Sequence, residues 1–125
     1  MLQEKLDDLC VNIIEQLLIE LKTNKCKALI TYGDLTSKLR YNINPRNLDN
    51  PLGVISDYCK EHGMPLLSTI VVNKDTYMPG AGYFKYYFAD KSKDEYEVIF
   101  KRELTKVREY KHWAQLAELL SIKII

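Results

Sequence analysis

The sequence is poor in glycine, proline and cysteine, with five, four and three of these residues among 125. So little glycine and proline excludes a collagen-like or low-complexity chain, and a hydrophobic content of 46% is too high for a disordered one. The cysteines are odd in number and unrelated in spacing, which is not typical of a disulfide scaffold and indicates reduced thiols. They are Cys10, Cys26 and Cys59.

Long apolar runs are absent as well. No run approaches the roughly 20 residues that a membrane-spanning helix needs. The amino-terminal stretch carries five acidic side chains among its apolar ones, which is not typical of a secretory signal peptide. We therefore expect a cytoplasmic protein without membrane association. The length predicts a single domain over residues 1–125.

Motifs of catalysis and metal binding are scarce. His62 and His112 are the only histidines, and no HExxH, GxSxG or Walker motif is present. Cys59 and His62 are three residues apart on a predicted helix and could act as a nucleophile pair or as two metal ligands. A zinc site needs about four ligands, and no second pair is suitably spaced. A buried cysteine beside a polar histidine is therefore favoured, and we predict no catalytic residue, no metal site and no cofactor.

A glycine-containing loop and closely spaced tyrosines follow one another in residues 73–91. The segment 79–82 (PGAG) could approach a phosphate, but it lacks the Walker lysine, so a tight loop is favoured. The tyrosines, interleaved with lysines, could stack on nucleic-acid bases. Aromatic clusters are more often part of a core, so we expect about half of them to be buried. They are Tyr77, Tyr83, Tyr86 and Tyr87.

Charge is unevenly distributed along the chain although the net charge is only +1. Residues 1–21 carry five acids and one base, whereas residues 22–46 carry six bases and one acid. A clustered positive field attracts polyanions even in a nearly neutral molecule. The alternative is a solvated basic surface balanced by its acidic neighbour.

Local sequence signals predict helices in the first half of the chain. Apolar residues at three- and four-residue steps predict an amino-terminal helix over residues 1–23. Thr31 and Asp34 resemble a capping box that opens a helix from residue 32 to about 40. Asn44 followed by Pro45 predicts a third helix start, and Asn50-Pro51 predicts either a fourth helix or a kink. Gly63 is a suitable carboxyl-terminal cap.

The second half mixes strand and helix signals. Residues 66–72 are rich in β-branched side chains and predict a strand, followed by a loop over 73–82. Residues 83–88 fit either a return strand or a helical turn. Ser92 and Glu95 form a second capping-box pattern, and apolar spacing predicts carboxyl-terminal helices within residues 92–120.

The order of elements from residue 31 onward resembles the winged helix domain of O-alkylguanine-DNA alkyltransferases. The matching features are residues 31–35 (TYGDL), Pro45-Arg46, an apolar helix, Val71-Val72 and a glycine-containing loop. This resemblance implies a helix-turn-helix and wing over residues 31–83. The family's PCHR tetrad would fall near residues 66–70, which contain no cysteine or histidine. An alkyl-acceptor role is therefore rejected, while DNA binding is retained.

A longer stretch is similar to a group of small prokaryotic and phage proteins. It includes residues 51–59 (PLGVISDYC), 64–67 (MPLL), 71–74 (VVNK) and 79–83 (PGAGY), and it closes with Tyr110 and Trp113. The similarity covers roughly residues 31–113. It marks a family and implies no particular activity.

These observations predict an α+β fold, a mainly helical, winged helix-turn-helix-like domain with a small β wing and carboxyl-terminal helices. The leading function is a non-catalytic protein that binds double-stranded DNA, with a regulatory role in a phage or mobile element. Residues 31–40 would form the positioning helix, and residues 44–50 would enter the major groove. The expected nucleic-acid contacts are Lys38, Arg40, Arg46, Asn47 and Lys74.

The alternative function is protein binding. A phage-encoded inhibitor of a host defence system could use the same fold without contacting DNA, with the acidic first helix and residues 92–110 as docking faces. The amino-terminal apolar stripe could cover a core or join a homodimer. An enzyme that uses tyrosine and lysine at the glycine loop is the least favoured class.

Overall fold

The computed structural model describes residues 6–122, which fold into six α-helices and a two-stranded parallel sheet. This arrangement confirms the mainly helical α+β class. The helices are α1 (Asp8–Asn24), α2 (Tyr32–Lys38), α3 (Asp49–Glu61), α4 (Ala81–Tyr87), α5 (Tyr96–Glu109) and α6 (Trp113–Leu119). The strands are β1 (Ile30–Thr31) and β2 (Val71–Val72).

Helix α1 forms because its apolar side chains recur on one face and because Asp7 caps its amino end. The Asp7 carboxylate accepts a hydrogen bond of 2.8 Å from the Cys10 amide. The centre of the apolar face is fully buried, with Ile13, Ile14 and Leu17 each 0% exposed. The helix predicted over residues 1–23 is confirmed from Asp8 onward, and residues 1–5 lie outside the described part of the chain.

Helix α2, a turn and helix α3 follow one another as the capping signals predict. Thr31 accepts from the Asp34 amide at 3.2 Å, and α2 ends at Lys38, slightly earlier than expected. Asn44 accepts from the Arg46 amide at 2.9 Å and opens a 3₁₀ helix, Pro45–Leu48, that runs directly into α3. Pro51 therefore lies in the first turn of α3, where its missing amide costs little, and no second helix starts there.

The strand predicted over residues 66–72 is wrong for most of its length. Leu67–Ile70 is a buried 3₁₀ helix, and only Val71–Val72 is a strand. The Thr69 hydroxyl donates to the Leu66 carbonyl at 2.6 Å, and such local side-chain bonds compete with a strand ladder. Strand β2 pairs in parallel with β1, with Ile30 opposite Val71.

The prediction of a β wing after residue 72 is also wrong, because no β hairpin forms there within the described residues. Residues 73–80 make a loop that leads into helix α4, so the helical alternative for residues 83–88 is the one observed. Phe84 is buried and stacks on Tyr96 of α5 with ring centroids 4.0 Å apart, which holds α4 against the core. A loop and a helix thus occupy the place of a β hairpin.

The carboxyl-terminal helices predicted within residues 92–120 are confirmed. Ser92 and Glu95 form the expected capping box ahead of α5. The Arg108 guanidinium donates to the Ala28 carbonyl at 3.0 and 2.7 Å, which ties α5 to the segment before β1. The Trp113 indole donates to the Val107 carbonyl at 2.9 Å and fixes the corner between α5 and α6.

Buried apolar side chains from all six helices form one cluster. Gly63 lies two residues after the end of α3 and has a φ of 69°. Glycine adopts this left-handed conformation without the steric cost of a Cβ, so it suits a helix terminus. Within residues 6–122, no helix combines the length and apolar character needed to cross a membrane.

Candidate nucleic-acid interface

A groove of about 660 Å³ lies where the amino ends of α2 and of the Pro45–Leu48 helix meet the loop over residues 73–80. It brings together Arg46 and Lys74, two predicted contacts that are 28 positions apart in the sequence. Both side chains are exposed. The groove is lined by Thr31, Tyr32, Gly33, Asp34, Asn44, Pro45, Arg46, Asp49, Asn73, Lys74, Asp75 and Gly80.

Two other predicted contacts lie outside the lining of this groove. Lys38 is exposed at the carboxyl end of α2. Asn47 is exposed next to Arg46, and its backbone N–H donates to the backbone carbonyl of Asn44 at 2.8 Å. The cap at Asn44 therefore fixes the backbone on which Arg46 and Asn47 are presented.

The fifth predicted contact, Arg40, is engaged by helix α1. Its guanidinium lies 3.2 Å from the Glu15 carboxylate and 3.7 Å from that of Asp8. Its backbone amide donates to the buried Asn12 side chain at 2.8 Å. The next residue, Tyr41, hydrogen-bonds to Asp8 as well. Arg40 therefore anchors the turn after α2 to α1 and has less charge to offer a phosphate.

The electrostatics of the groove are mixed. Arg46 and Lys74 face the three carboxylates Asp34, Asp49 and Asp75 across its lining. Asp34 and Asp49 lie in the first turns of α2 and α3, where the helix dipole favours a negative charge. Carboxylates at these positions oppose binding of a phosphate within the groove.

The hydroxyl of Tyr32 joins the loop to the helices. It accepts a hydrogen bond of 3.1 Å from the Gly80 amide and interacts with the Asp49 carboxylate. Burial is the main reason that the pKa of Tyr32 is raised, and Asp49 acts in the same direction. A Cβ at Gly80 would lie only 2.8 Å from this hydroxyl, so any other residue at position 80 would force the Tyr32 hydroxyl to shift.

The role of Tyr32 was missed by sequence reasoning, although the residue belongs to the TYGDL segment. Its partner Gly80 is 48 positions away, and no local signal pairs them. The contact between Tyr32 and Gly80 has one weak sequence signal. A tyrosine stands at the first position of a capped helix, and a glycine-containing loop follows later in the chain.

Behind the Tyr32 contact lies a smaller cavity of about 90 Å³. The hydroxyls of Ser56 and Ser68 hydrogen-bond to each other at its wall, and Tyr87 donates to the Asp57 carboxylate at 2.6 Å. Burial raises the pKa of Tyr87 and of Tyr83 above the ordinary value. The cavity is large enough for a few water molecules, and its polar lining consists of hydroxyl groups and the Asp49 carboxylate.

Cys59 and His62 are not coupled. Burial raises the pKa of the Cys59 thiol to about 11, which keeps it protonated and unreactive. The His62 ring stacks on Tyr58, and its Nδ1 hydrogen-bonds to the Tyr58 carbonyl at 2.9 Å. Within residues 6–122, no group of three or more cysteine, histidine or acidic side chains is arranged to hold a metal ion.

None of the four tyrosines near the loop is fully buried, although half of them were expected to be, and they divide into an exposed and a half-buried pair. Tyr77 and Tyr86 are 59% and 77% exposed, whereas Tyr83 and Tyr87 pack against the core. Tyr77 has a φ of 54°, an uncommon backbone conformation for a tyrosine, at the tip of the loop that carries Lys74. The exposed pair leaves two aromatic rings in contact with solvent, and neither ring is part of the groove lining.

Comparisons of this chain with protein-family models, with curated proteins and with solved structures find no match. The geometry of the groove is therefore the basis on which a function is proposed.

Proposed function

We propose that the protein is a non-catalytic module that binds double-stranded DNA and offers the amino end of the Pro45–Leu48 helix and α3 to the major groove. The observation that carries the proposal is the placement of Arg46 and Asn47 at that exposed helix end, with Lys74 across the same groove. Helices with exposed amino ends are common readers of the major groove. The resemblance to the alkyltransferase winged helix supports this orientation.

The side chains at this end suit base recognition. The fork of an arginine pairs with guanine O6 and N7, and an asparagine pairs with adenine N6 and N7. Arg46 and Asn47 would supply these contacts. Lys38 and Lys74 would contact phosphates on either side and set the orientation of the protein on the duplex.

The structure modifies the proposed contact set in two ways. Arg40 serves mainly as an anchor for α1, so three cations replace four as the electrostatic contacts. The loop over residues 73–80, held by Tyr32, takes the place of a β wing. Because Asp34, Asp49 and Asp75 line the groove, we expect moderate affinity and a strong dependence on correct docking. A regulatory role in a phage or mobile element fits such a small, non-catalytic module.

A binding titration tests the proposal. A fluorescent duplex of mixed sequence, about two helical turns long, is titrated at low salt with wild type and with the triple variant Lys38→Ala, Arg46→Ala, Lys74→Ala. We expect the triple variant to bind more than about tenfold more weakly, because three contacts are lost. The matched control Lys93→Ala, Lys101→Ala, Lys111→Ala removes the same charge outside the groove.

The proposal requires that the control bind like wild type. Equal weakening by both triple variants would mean that only net charge matters, which contradicts a defined interface. Absence of binding by wild type at low salt would overturn the proposal and give first place to the protein-binding alternative.

A further inference from the structure

A second groove, of about 630 Å³, lies at the other end of α3. Lys60, on its rim, is about 17 Å along the helix axis from Asp49 of the first groove. The walls come from the end of α3, the turn after it, the end of α4 and helix α5. The lining residues that the argument uses are Lys60, Met64, Leu66, Phe88, Arg102 and Lys106, with Glu103 beneath them.

A buried carboxylate organises the charges of this groove. Glu103 is only 8% exposed, and it accepts from Arg102 Nε at 3.0 Å and from Lys106 Nζ at 3.1 Å. A carboxylate at this depth needs such partners. The Glu103 carboxylate therefore forms ion pairs with two cationic side chains. The side chains of Arg102 and Lys106 are 52% and 55% exposed.

The groove is positive as a result. Lys60 adds a third cation, with its Nζ 5.8 Å from the centre of the Tyr87 ring. Among residues 6–122, Glu103 is the only acid in the lining, whereas the first groove has three acids for two bases. Arg102 contacts Glu103 through Nε, so the N–H donors of its two terminal guanidinium nitrogens are not needed for that contact.

The floor between these cations is apolar. Met64 and Phe88 are half-buried and Leu66 is buried, and all three pack against the core cluster. A ligand that fits must offer negative groups to the rim and an apolar group to the floor. A nucleic-acid backbone offers regularly spaced phosphates and no apolar side chain, whereas a peptide offers both kinds of group.

We propose that this groove binds an acidic peptide segment of a protein partner, with carboxylates on Arg102, Lys106 and Lys60 and one apolar side chain on the floor formed by Met64 and Phe88. The charge complementarity and the apolar floor carry this assignment. The groove is separate from the proposed DNA contacts, so a partner could bind while the amino end of α3 is occupied.

Selection from a random peptide library tests the proposal without a known partner. Folded wild-type protein is used to enrich peptides of about twelve residues, a length that spans such a groove. We expect enriched sequences to combine aspartate or glutamate with a large apolar residue. The enriched peptide is then synthesised with a fluorescent label and its Kd is measured.

The variant Arg102→Gln, Lys106→Gln removes both charges and keeps amide donors for Glu103, and its circular dichroism spectrum and urea unfolding show whether the fold is kept. We expect it to weaken binding of the labelled peptide by more than about tenfold, the effect of losing two charge-assisted contacts. The matched control is Lys93→Gln, Lys101→Gln, which removes two charges outside the lining of this groove and should bind like wild type.

Three results would overturn the assignment. One is enrichment of peptides without acidic residues, and another is equal peptide affinity of wild type and the double glutamine variant. The third is that no acidic peptide binds, whereas single-stranded DNA binds and its binding depends on Arg102 and Lys106. The groove would then be a nucleic-acid site.

Discussion

Several acidic side chains near the amino end of the chain are committed to contacts inside the molecule. Asp7 caps α1, and Glu15 pairs with Arg40. Glu20 is buried and accepts from the Asn24 side chain at 2.6 Å and the Leu29 amide at 3.1 Å. These contacts explain why a strongly acidic segment does not form an independent negative surface. Each of these carboxylates stabilises the fold through the group that it contacts.

Arg40 provides a direct test of this point. We expect Arg40→Ala to lower the free energy of unfolding by about 0.5 kcal/mol, the usual contribution of exposed ion pairs. Duplex affinity should change by less than about twofold, because this charge is already offset by Asp8 and Glu15. Urea unfolding and duplex titration measure the two effects. A loss of affinity as large as that of Arg46→Ala would contradict the anchoring role.

The cysteines give a second prediction at this scale. Burial raises the pKa of Cys10 to about 12 and of Cys59 to about 11, from an ordinary value of 9.0, whereas Cys26 is exposed. At about pH 8 a thiol reagent should label Cys26 alone in the folded protein and all three cysteines in urea. Rapid labelling of Cys59 in the folded protein would contradict its burial.

The same thiols set an alkaline limit on stability. A folded-state pKa above the unfolded one means that the folded protein holds its proton more tightly. Their contribution is therefore fully present below about pH 9 and is lost as the pH rises towards 11. Urea unfolding of wild type and Cys59→Ala between these pH values measures the effect, and wild type should lose more stability than the variant.

At the scale of secondary structure, caps and periodicity predict most of the helices. Asn44, Thr31 and Ser92 each act as the sequence indicates, because a cap is a contact within a few residues. The strand over residues 66–72 could not be predicted correctly, since Thr69 bonds locally and the partner strand lies about 40 residues earlier. The helix in place of a wing depends on the packing of Phe84 against Tyr96, which local sequence does not reveal.

The contact between Tyr32 and Gly80 fixes the loop to the helices, and a double-mutant cycle tests it. We expect Gly80→Ala to cost about 1–3 kcal/mol, because its Cβ meets the Tyr32 hydroxyl. In a Tyr32→Phe background the same change should cost clearly less, since the hydroxyl is gone. Unfolding in urea measures all four proteins. Strictly additive costs would show that the two residues do not meet.

The apolar face of α1 is covered within a single chain. Leu17→Asp places a carboxylate where the side chain is 0% exposed, and we expect a loss of more than about 3 kcal/mol or complete unfolding. Gln16→Asp adds the same charge at a half-exposed position and serves as the control in thermal unfolding. A folded Leu17→Asp protein that has merely changed from dimer to monomer would instead place this face at a dimer interface.

At the scale of the whole molecule, α3 carries two different grooves at its two ends. The first groove presents Arg46 and Lys74, and Asn47 is exposed beside Arg46. Arg46 and Asn47 were predicted as contacts because they follow a helix start, and Lys74 because it lies in the segment expected to form a wing. The carboxylates Asp49 and Asp75 in the same groove and the engagement of Arg40 by α1 could not be predicted, since they depend on tertiary contacts. The positive groove around Glu103 could not be predicted from the sequence either, because the acidic and basic residues of α5 nearly balance in number.

The salt dependence of duplex binding tests the central claim most directly. Each phosphate contact contributes about 0.9 to the slope of log affinity against log salt, so the two phosphate contacts of Lys38 and Lys74 predict a slope of about −1.8 for wild type. The Lys38→Ala, Arg46→Ala, Lys74→Ala variant should give a slope near zero, and the Lys93→Ala, Lys101→Ala, Lys111→Ala control should keep the wild-type slope. Equal slopes for the two triple variants, or no binding by wild type at low salt, would contradict the DNA-binding account.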